Sequence, residues 1–238
     1  MREVLEFAIN KPKEVTALSR LEVLYEDNHL IVITKPADLP TMGVSEGETS
    51  AVTLVKDYLK QKYNKPGNVF LGVVSRLDRM VTGVLPFART SKAAKRLNEQ
   101  FRERTTDKRY RAIVTGQGSI SPGKLTDWLR KDEKKHRMIA SRHENAGGQK
   151  AELMVESVQE VSSGFLLDIK LLTGRKHQIR VQLSSRRLPI LGDRKYGSSA
   201  LFPAGIALHA AQLDINHPVS REKLSFSSPL PESWRNFI

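Results

Sequence analysis

The 238-residue chain contains no cysteine. That absence removes disulfides, cysteine-ligated zinc and thiolate nucleophiles together. Nucleic-acid-base methyltransferases that attack through cysteine are excluded, as are deaminases that ligate zinc through it. Six histidines are present (His29, His136, His143, His177, His209 and His217), but none stands in a His-Glu-x-x-His arrangement. There is no G-x-G-x-x-G and no phosphate-loop motif, so nucleotide cofactors have no sequence support. Gly116 and Gly118 read as turn residues. Uninterrupted apolar stretches are only a few residues long, far short of a bilayer span. The opening, Met1-Arg2-Glu3-Val4-Leu5-Glu6-Phe7, carries acids early and lacks a signal peptide's apolar core. A soluble chain of the cytoplasm, without a membrane partner, is the expectation.

What the chain has in excess is positive charge. Lysine and arginine number 39 against 26 aspartates and glutamates, leaving +13 at pH 7. A field of that sign draws polyanions, nucleic acid above all, in a salt-dependent way. A merely charged coat would carry the same composition.

The length suits one large domain, with 1–20 as an N-terminal arm and 21–238 as the core. The runs 21–25 and 30–34, split by Glu26-Asp27-Asn28-His29, predict a hairpin. Ser50 opens a helix that places Val52, Val55, Tyr58 and Leu59 on one face and ends before Asn64-Lys65-Pro66-Gly67. A second helix starts near Thr90 or Ser91, turns Ala93, Ala94, Leu97 and Phe101 inward, and shows a basic stripe of Lys92, Lys95, Arg96 and Arg102. Period-two alternation follows from residue 109, with Tyr110, Ala112 and Val114 on one face. Further strands are expected around 125–129, 135–140, 150–158, 165–172, 206–210 and 223–226, with a turn at Asn145-Ala146-Gly147-Gly148. Thr173 would cap a helix over 175–185. Strands with a few interspersed helices predict an α+β fold: a largely antiparallel mixed sheet flanked by helices.

Two segments carry chemistry. In Ser75-Arg76-Leu77-Asp78-Arg79-Met80-Val81-Thr82-Gly83 a single carboxylate lies between two arginines. Adjacent positive charge favours an ionised acid, able to attack an electrophilic carbon, while the guanidiniums can grip phosphate. An aspartate that merely closes a turn and pairs with an arginine would look the same. The second segment, 171–182, places a helix N-terminus, an anion site, at a strand-to-helix turn. Helical spacing puts His177 and Arg180 on one side, and Gln178 with Gln182 on another. A basic surface helix remains open at this point. In the glycine-bounded loop that follows, Asp193 would cap amides or pair with an arginine.

Together these segments resemble the RluA-type pseudouridine synthases. That family's His-Arg-Leu-Asp-x-x-Thr-Ser-Gly is matched by 75–83, and its Leu-x-Thr-Gly-Arg-x-His-Gln-Ile-Arg, without a break, by 171–180. Its Leu-Gly-Asp-x-x-Tyr-Gly loop is matched by 191–197, and 25–36 and 208–218 resemble it as well. The resemblance covers roughly residues 21–234 in the same order. Departures are Ser75 for the usual His, Val81-Thr82 for Thr-Ser, and Asp38 for a usual Gly. The small N-terminal RNA-binding domain of many members is not expected here, and monomer is the default.

The resemblance implies a pseudouridine synthase fold with an active-site cleft across the sheet, and isomerisation of uridine to pseudouridine in ribosomal or transfer RNA, without metal or cofactor. Asp78 would be the nucleophile, or at least the carboxylate that stabilises the anomeric carbon. Arg180 would pair with Asp78, and Tyr110 would lie over the base and take the proton from uracil carbon 5. Arg76 would fill the gap left by the flipped base or hold its phosphate. Arg79, Lys35, Arg175, His177, Gln178 and Arg194 complete the expected substrate-binding set, with Lys35, Arg175 and Arg194 on the RNA backbone. Asp193, Lys195 and Tyr196 would shape loops. A catalytically weakened RNA-binding scaffold is the alternative that Ser75 and Asp38 raise, and a nucleoside-hydrolase-like enzyme ranks below it, since glycoside chemistry usually wants two carboxylates.

Overall fold

Asp27 closes the first hairpin by accepting the backbone N–H groups of His29 and Leu30 at 2.8 and 2.7 Å. It joins β1 (Glu22–Glu26) to β2 (Leu30–Lys35), which pair antiparallel. The computed structural model describes residues 21–45, 47–144 and 147–238. The expected N-terminal arm and the Asn145-Ala146 part of the expected turn lie outside the described residues.

The first helix, α1 (Ala51–Lys62), begins where Ser50 and Thr53 exchange side-chain and backbone hydrogen bonds in a capping box. The second, α2 (Ser91–Glu103), begins where Thr90 accepts the Ala93 N–H. Between them run β3 (Gly72–Val73) and β4 (Thr82–Ala88). Alternation in β2 decides how these pieces stack. Ile31 and Ile33 join Val55 and Leu59 of α1 in one apolar cluster, while Leu30 and Val32 join Ala93 and Leu97 of α2 in another. One strand, buried on both faces, therefore carries a helix on each side.

The remaining strands are β5 (Asp107–Val114), β6 (Gly123–Asp132), β7 (Arg137–Ser141), β8 (Gln149–Val161), β9 (Gly164–Leu171), β10 (Leu208–Asn216) and β11 (Lys223–Ser227). A short helix, α3 (Gln178–Ser184), follows β9. The sheet runs β1-β2-β4-β10-β5-β9-β8-β6-β7, with β3 paired to β4 and β11 to β10. Only β4 and β10 are parallel, so the α+β, largely antiparallel mixed sheet is as expected. Among the described residues no helix is long and apolar enough to cross a membrane.

The fully buried β4 was not foreseen, and it holds Gly83 and Pro86, two residues uncommon inside a sheet. Pro86 is accommodated because one flank of β4 pairs with β10 only at Thr82 and Gly83 and with β3 only at Phe87 and Ala88. Proline falls between these partners and forfeits no ladder bond on that flank. Gly83 has φ +113°, and a Cβ there would stand 2.2 Å from the Ala210 carbonyl oxygen on β10. Thr82 and His209 lock the same crossing: His209 Nε2 donates to the Ser228 carbonyl, leaving Nδ1 to accept from the Thr82 hydroxyl at 2.7 Å.

Candidate active site

The chain between β3 and β4 is pinned before it reaches Asp78. The buried Thr41 hydroxyl donates to the Leu77 carbonyl at 2.8 Å and accepts the Leu77 N–H at 3.1 Å. Just beyond, the Asp78 carbonyl accepts from Val81 N–H at 3.0 Å, closing a turn. Beneath the turn, the Lys35 ammonium donates to the carbonyls of Pro36, Leu39 and Arg79 at 2.7, 2.8 and 3.0 Å. Lys35 is 0 % exposed, which corrects its expected role on the RNA backbone: its three protons are already spent on the protein's own carbonyls. Burial pushes its amine down to about 7, against the upward pull of Asp78 and Asp38.

The helix expected over 175–185 starts later, at Gln178, and Thr173 does not cap it. His177, in the left-handed region at φ +53°, precedes the helix instead. Thr173 is drawn off by β8, where its oxygen accepts the Glu152 N–H at 2.8 Å. Gln178 is buried, accepting from the Thr173 hydroxyl and the Arg175 N–H and donating to the Glu152 carbonyl. It fastens α3 to β8 while also lining the cleft. Gln182 donates to Ala151 and Asp127 on the same side. With Gln178 through Leu183 all buried, α3 is not the basic surface helix that its sequence also allowed.

That packing aims the other side of α3 at Asp78. Arg180 Nη1 donates to Asp78 Oδ2 at 2.9 Å, while Nε and Nη2 hold Asp193 Oδ2 and Oδ1 at 2.7 and 2.9 Å. Burial works against the Arg180 charge, but the hydrogen bonds and charge of Asp193, then of Asp78, outweigh it and raise its affinity for the proton. Two carboxylates on one guanidinium leave one negative charge, and the more exposed holder is Asp78, at 29 % of its side chain against 1 % for Asp193.

His177 lies on the same side, with Nε2 3.7 Å from Asp78 Oδ1. Burial lowers its basicity against the pull of Asp78, and Arg180 adds to the lowering. Its Nδ1 stands 2.7 Å from the Tyr196 hydroxyl, which itself accepts Met138 N–H at 3.1 Å. The phenol proton has no other acceptor among the described residues, so it goes to Nδ1 and leaves the imidazole proton on Nε2, facing Asp78. The Tyr196 ring also lies 5.0 Å from the Arg180 guanidinium carbon.

Asp78 opens into a cleft of about 980 Å³, lined by the β3–β4 connection, the end of α2, β5, the end of β9 and the start of α3. Tyr110 lines it from β5, packed on the main apolar cluster, with no hydrogen bond to its phenol among the described residues. Burial, and then the Asp78 charge, push that phenol upward, so it holds its proton at neutral pH. Among the described residues, Asp78 is the one acid in the lining, against eight lysines and arginines. Arg76, Arg79 and Arg175 are among those eight, although Arg79 also pairs with Asp38 at 2.7 Å and Arg175 Nε donates to the Lys150 carbonyl. Arg194 is exposed in the single turn Arg194–Tyr196 and does not line the cleft, because Asp193 faces inward and carries its neighbour out.

A family model described as RNA pseudouridylate synthase matches residues 29–185, a span that includes Asp78, Tyr110 and Arg180. The chain belongs to that family. Its members isomerise uridine to pseudouridine in RNA, and this protein is such an enzyme. It is 34 % identical over 235 residues to ribosomal large subunit pseudouridine synthase D of Xanthomonas campestris, covering 92 % of this chain and 68 % of the relative. An uncharacterized RNA pseudouridine synthase of Bacillus subtilis, YhcT, is 31 % identical over 220 residues, covering 91 % and 70 %. Among solved structures, human RNA pseudouridylate synthase domain containing 4 superposes with a TM-score of 0.72 at 26 % identity, covering 92 % of this chain and 94 % of that one.

Within this synthase fold, one of the three departures from the usual motifs has a plain explanation. Asp38, where glycine is usual, has φ +60°, a conformation that aspartate tolerates better than most residues, and it gains Arg79 as a partner. Among the described residues no hydrogen bond of the Ser75 side chain explains the departure there. Sequence reasoning missed Thr41, whose hydroxyl has no motif to announce it, and left Tyr196 as loop filling. It also missed Lys108 and Arg104 in the cleft wall; the period-two pattern that placed Tyr110 would have placed Lys108 beside it.

Proposed function

We propose that residues 21–238 form the catalytic domain and that Asp78 is the nucleophile. Its carboxylate bonds to the ribose anomeric carbon as the bond to uracil N1 breaks and the base keeps the electron pair. The base turns, C5 attacks the same carbon, and Asp78 leaves with its electrons. C5 then loses its proton and N1 gains one, so that the product is an isomer. Arg180 aims Asp78, with Asp193 as its anchor. Tyr110 supports the base with its ring; a neutral phenol can take the C5 proton only as a relay that passes its own hydrogen on.

One observation carries this reading: a single half-buried carboxylate, fixed by a buried arginine, is the only acid among the described residues of a cleft lined by eight cations. Such a cleft suits a phosphate backbone around a base that has left its stack, a step of about a few kcal/mol. Arg76, exposed at the rim, is placed to hold a phosphate or fill the vacated gap. The substrate is structured RNA, and the names of relatives such as the Xanthomonas protein favour ribosomal over transfer RNA.

The test is tritium release from RNA labelled at uracil C5, taken from cells lacking this gene and separated into ribosomal and transfer fractions. Wild type should release tritium without added metal and Asp78→Asn should not. Equal release by the two proteins would remove Asp78 from the chemistry. Release of free uracil would instead support a hydrolase.

A further inference from the structure

Strand β5 divides its charges between two faces. Asp107, Arg109 and Arg111 point one way, and each has a partner: Lys170 at 2.6 Å, Glu156 at 2.8 Å and Asp168 at 3.0 Å. Lys108 points the other way, on the face of Tyr110, two residues and therefore about 7 Å along the strand. It is half-buried, lines the cleft, and has no hydrogen bond or ion pair among the described residues.

An ammonium withdrawn from water without a partner is unfavourable. Here burial, and then the charge of Arg104, both lower its hold on the proton. Among the described residues no carboxylate pairs with it. Arg102, Arg104, Arg175 and Lys176 line the same cleft, and its one acid among the described residues, Asp78, makes no ion pair with Lys108. Facing Lys108 is Gly174, where an added Cβ would stand 3.6 Å from Nζ with no other atom within 4 Å. The missing side chain leaves open the space above the ammonium.

We propose that Lys108, with Arg104 beside it and Gly174 opposite, forms a phosphate pocket that holds the phosphodiester adjoining the reacting uridine. The inference rests on the RNA reading of the cleft and assigns that strand a fixed point one step from Tyr110. A charge-assisted bond of about 2.7–2.9 Å from Nζ to a phosphate oxygen would supply the missing partner. Lys108 would then be a substrate-positioning residue.

The probe is a fluorescein-labelled single-stranded oligouridylate, titrated by anisotropy across a potassium chloride series. Lys108→Gln should weaken binding at low salt by roughly ten-fold to a hundred-fold and flatten the slope of log affinity against log salt by about 0.7. Lys108→Arg should restore the slope. Arg111→Gln, which removes a paired cation from the opposite face, should leave it unchanged. In tritium release from bulk RNA, Lys108→Gln should raise KM with kcat retained, and it should melt no lower than wild type, having lost an unpartnered charge. Wild-type affinity and slope in Lys108→Gln would overturn the pocket, as would a lowered melting temperature accompanied by uniform loss of kcat. The two readings fail separately: no tritium release by wild type, with the slope difference intact, would sink the enzymatic reading and leave the pocket standing.

Discussion

Arg180 holds Asp193 with two hydrogen bonds and Asp78 with one. The asymmetry makes Asp193 the anchor and leaves Asp78 the freer charge. Asp193→Asn should therefore damage both folding and chemistry. Breaking one side of a buried ion pair removes about 3–5 kcal/mol, readable by denaturant unfolding. Activity should fall as Arg180 swings onto Asp78. Asp78→Asn leaves the anchor intact, and its stability should stay within about 1 kcal/mol of wild type. Equal destabilisation by the two substitutions would contradict this division of labour.

Lys35 joins three carbonyls under the Asp78 turn. Lys35→Met would strand them, each at about 1–3 kcal/mol, so the variant should be less stable and its activity should fall as the turn loosens. The pH dependence has a definite sign. Native Lys35 loses its proton near 7, while the unfolded chain keeps it to the ordinary lysine range. Between those values the unfolded state binds more protons, and wild-type stability rises with pH. The stability gap between wild type and Lys35→Met should thus widen from neutral pH to about 10. A gap independent of pH would contradict the burial of a charged lysine here.

Gly83→Ala meets two obstacles, a positive φ and a carbonyl oxygen 2.2 Å from the new Cβ. The β4–β10 crossing would have to open, at a loss of at least about 3 kcal/mol. Thermal unfolding of the purified variant, or its failure to accumulate as folded protein, would show this. Wild-type melting would mean that β4 does not lie against β10 as described.

Tyr110→Phe keeps the ring and removes the relay. Its kcat for tritium release should fall by about 10²–10⁴-fold with KM nearly constant. Because burial and the Asp78 charge raise the phenol, the wild-type rate should not climb through the ordinary tyrosine range around pH 10. A climb there would identify a phenolate base.

Local pattern was enough for much of this molecule. The β1–β2 hairpin, α1 and α2 with their Ser50 and Thr90 caps, and the strands from β5 to β9 follow from periodicity and capping residues a few positions apart. The motif around Asp78 and the segment ending at Arg180 were legible because each is contiguous and chemically unusual. Where side chains compete for distant partners, reading along the chain failed. Thr173 could cap a helix, but the Glu152 backbone, 21 residues away, claims it. Lys35 looks like a surface cation until three carbonyls, one of them 44 residues on, enclose it. Pro86 and Gly83 speak against a strand until β3 and β10 leave a gap for one and press on the other. Composition and motif thus pointed to an anionic partner and to Asp78 as the candidate carboxylate, because charge and residue type are properties of the chain itself. Only the tertiary structure decided which cations remain unpaired in the cleft, because pairing depends on which strand faces meet.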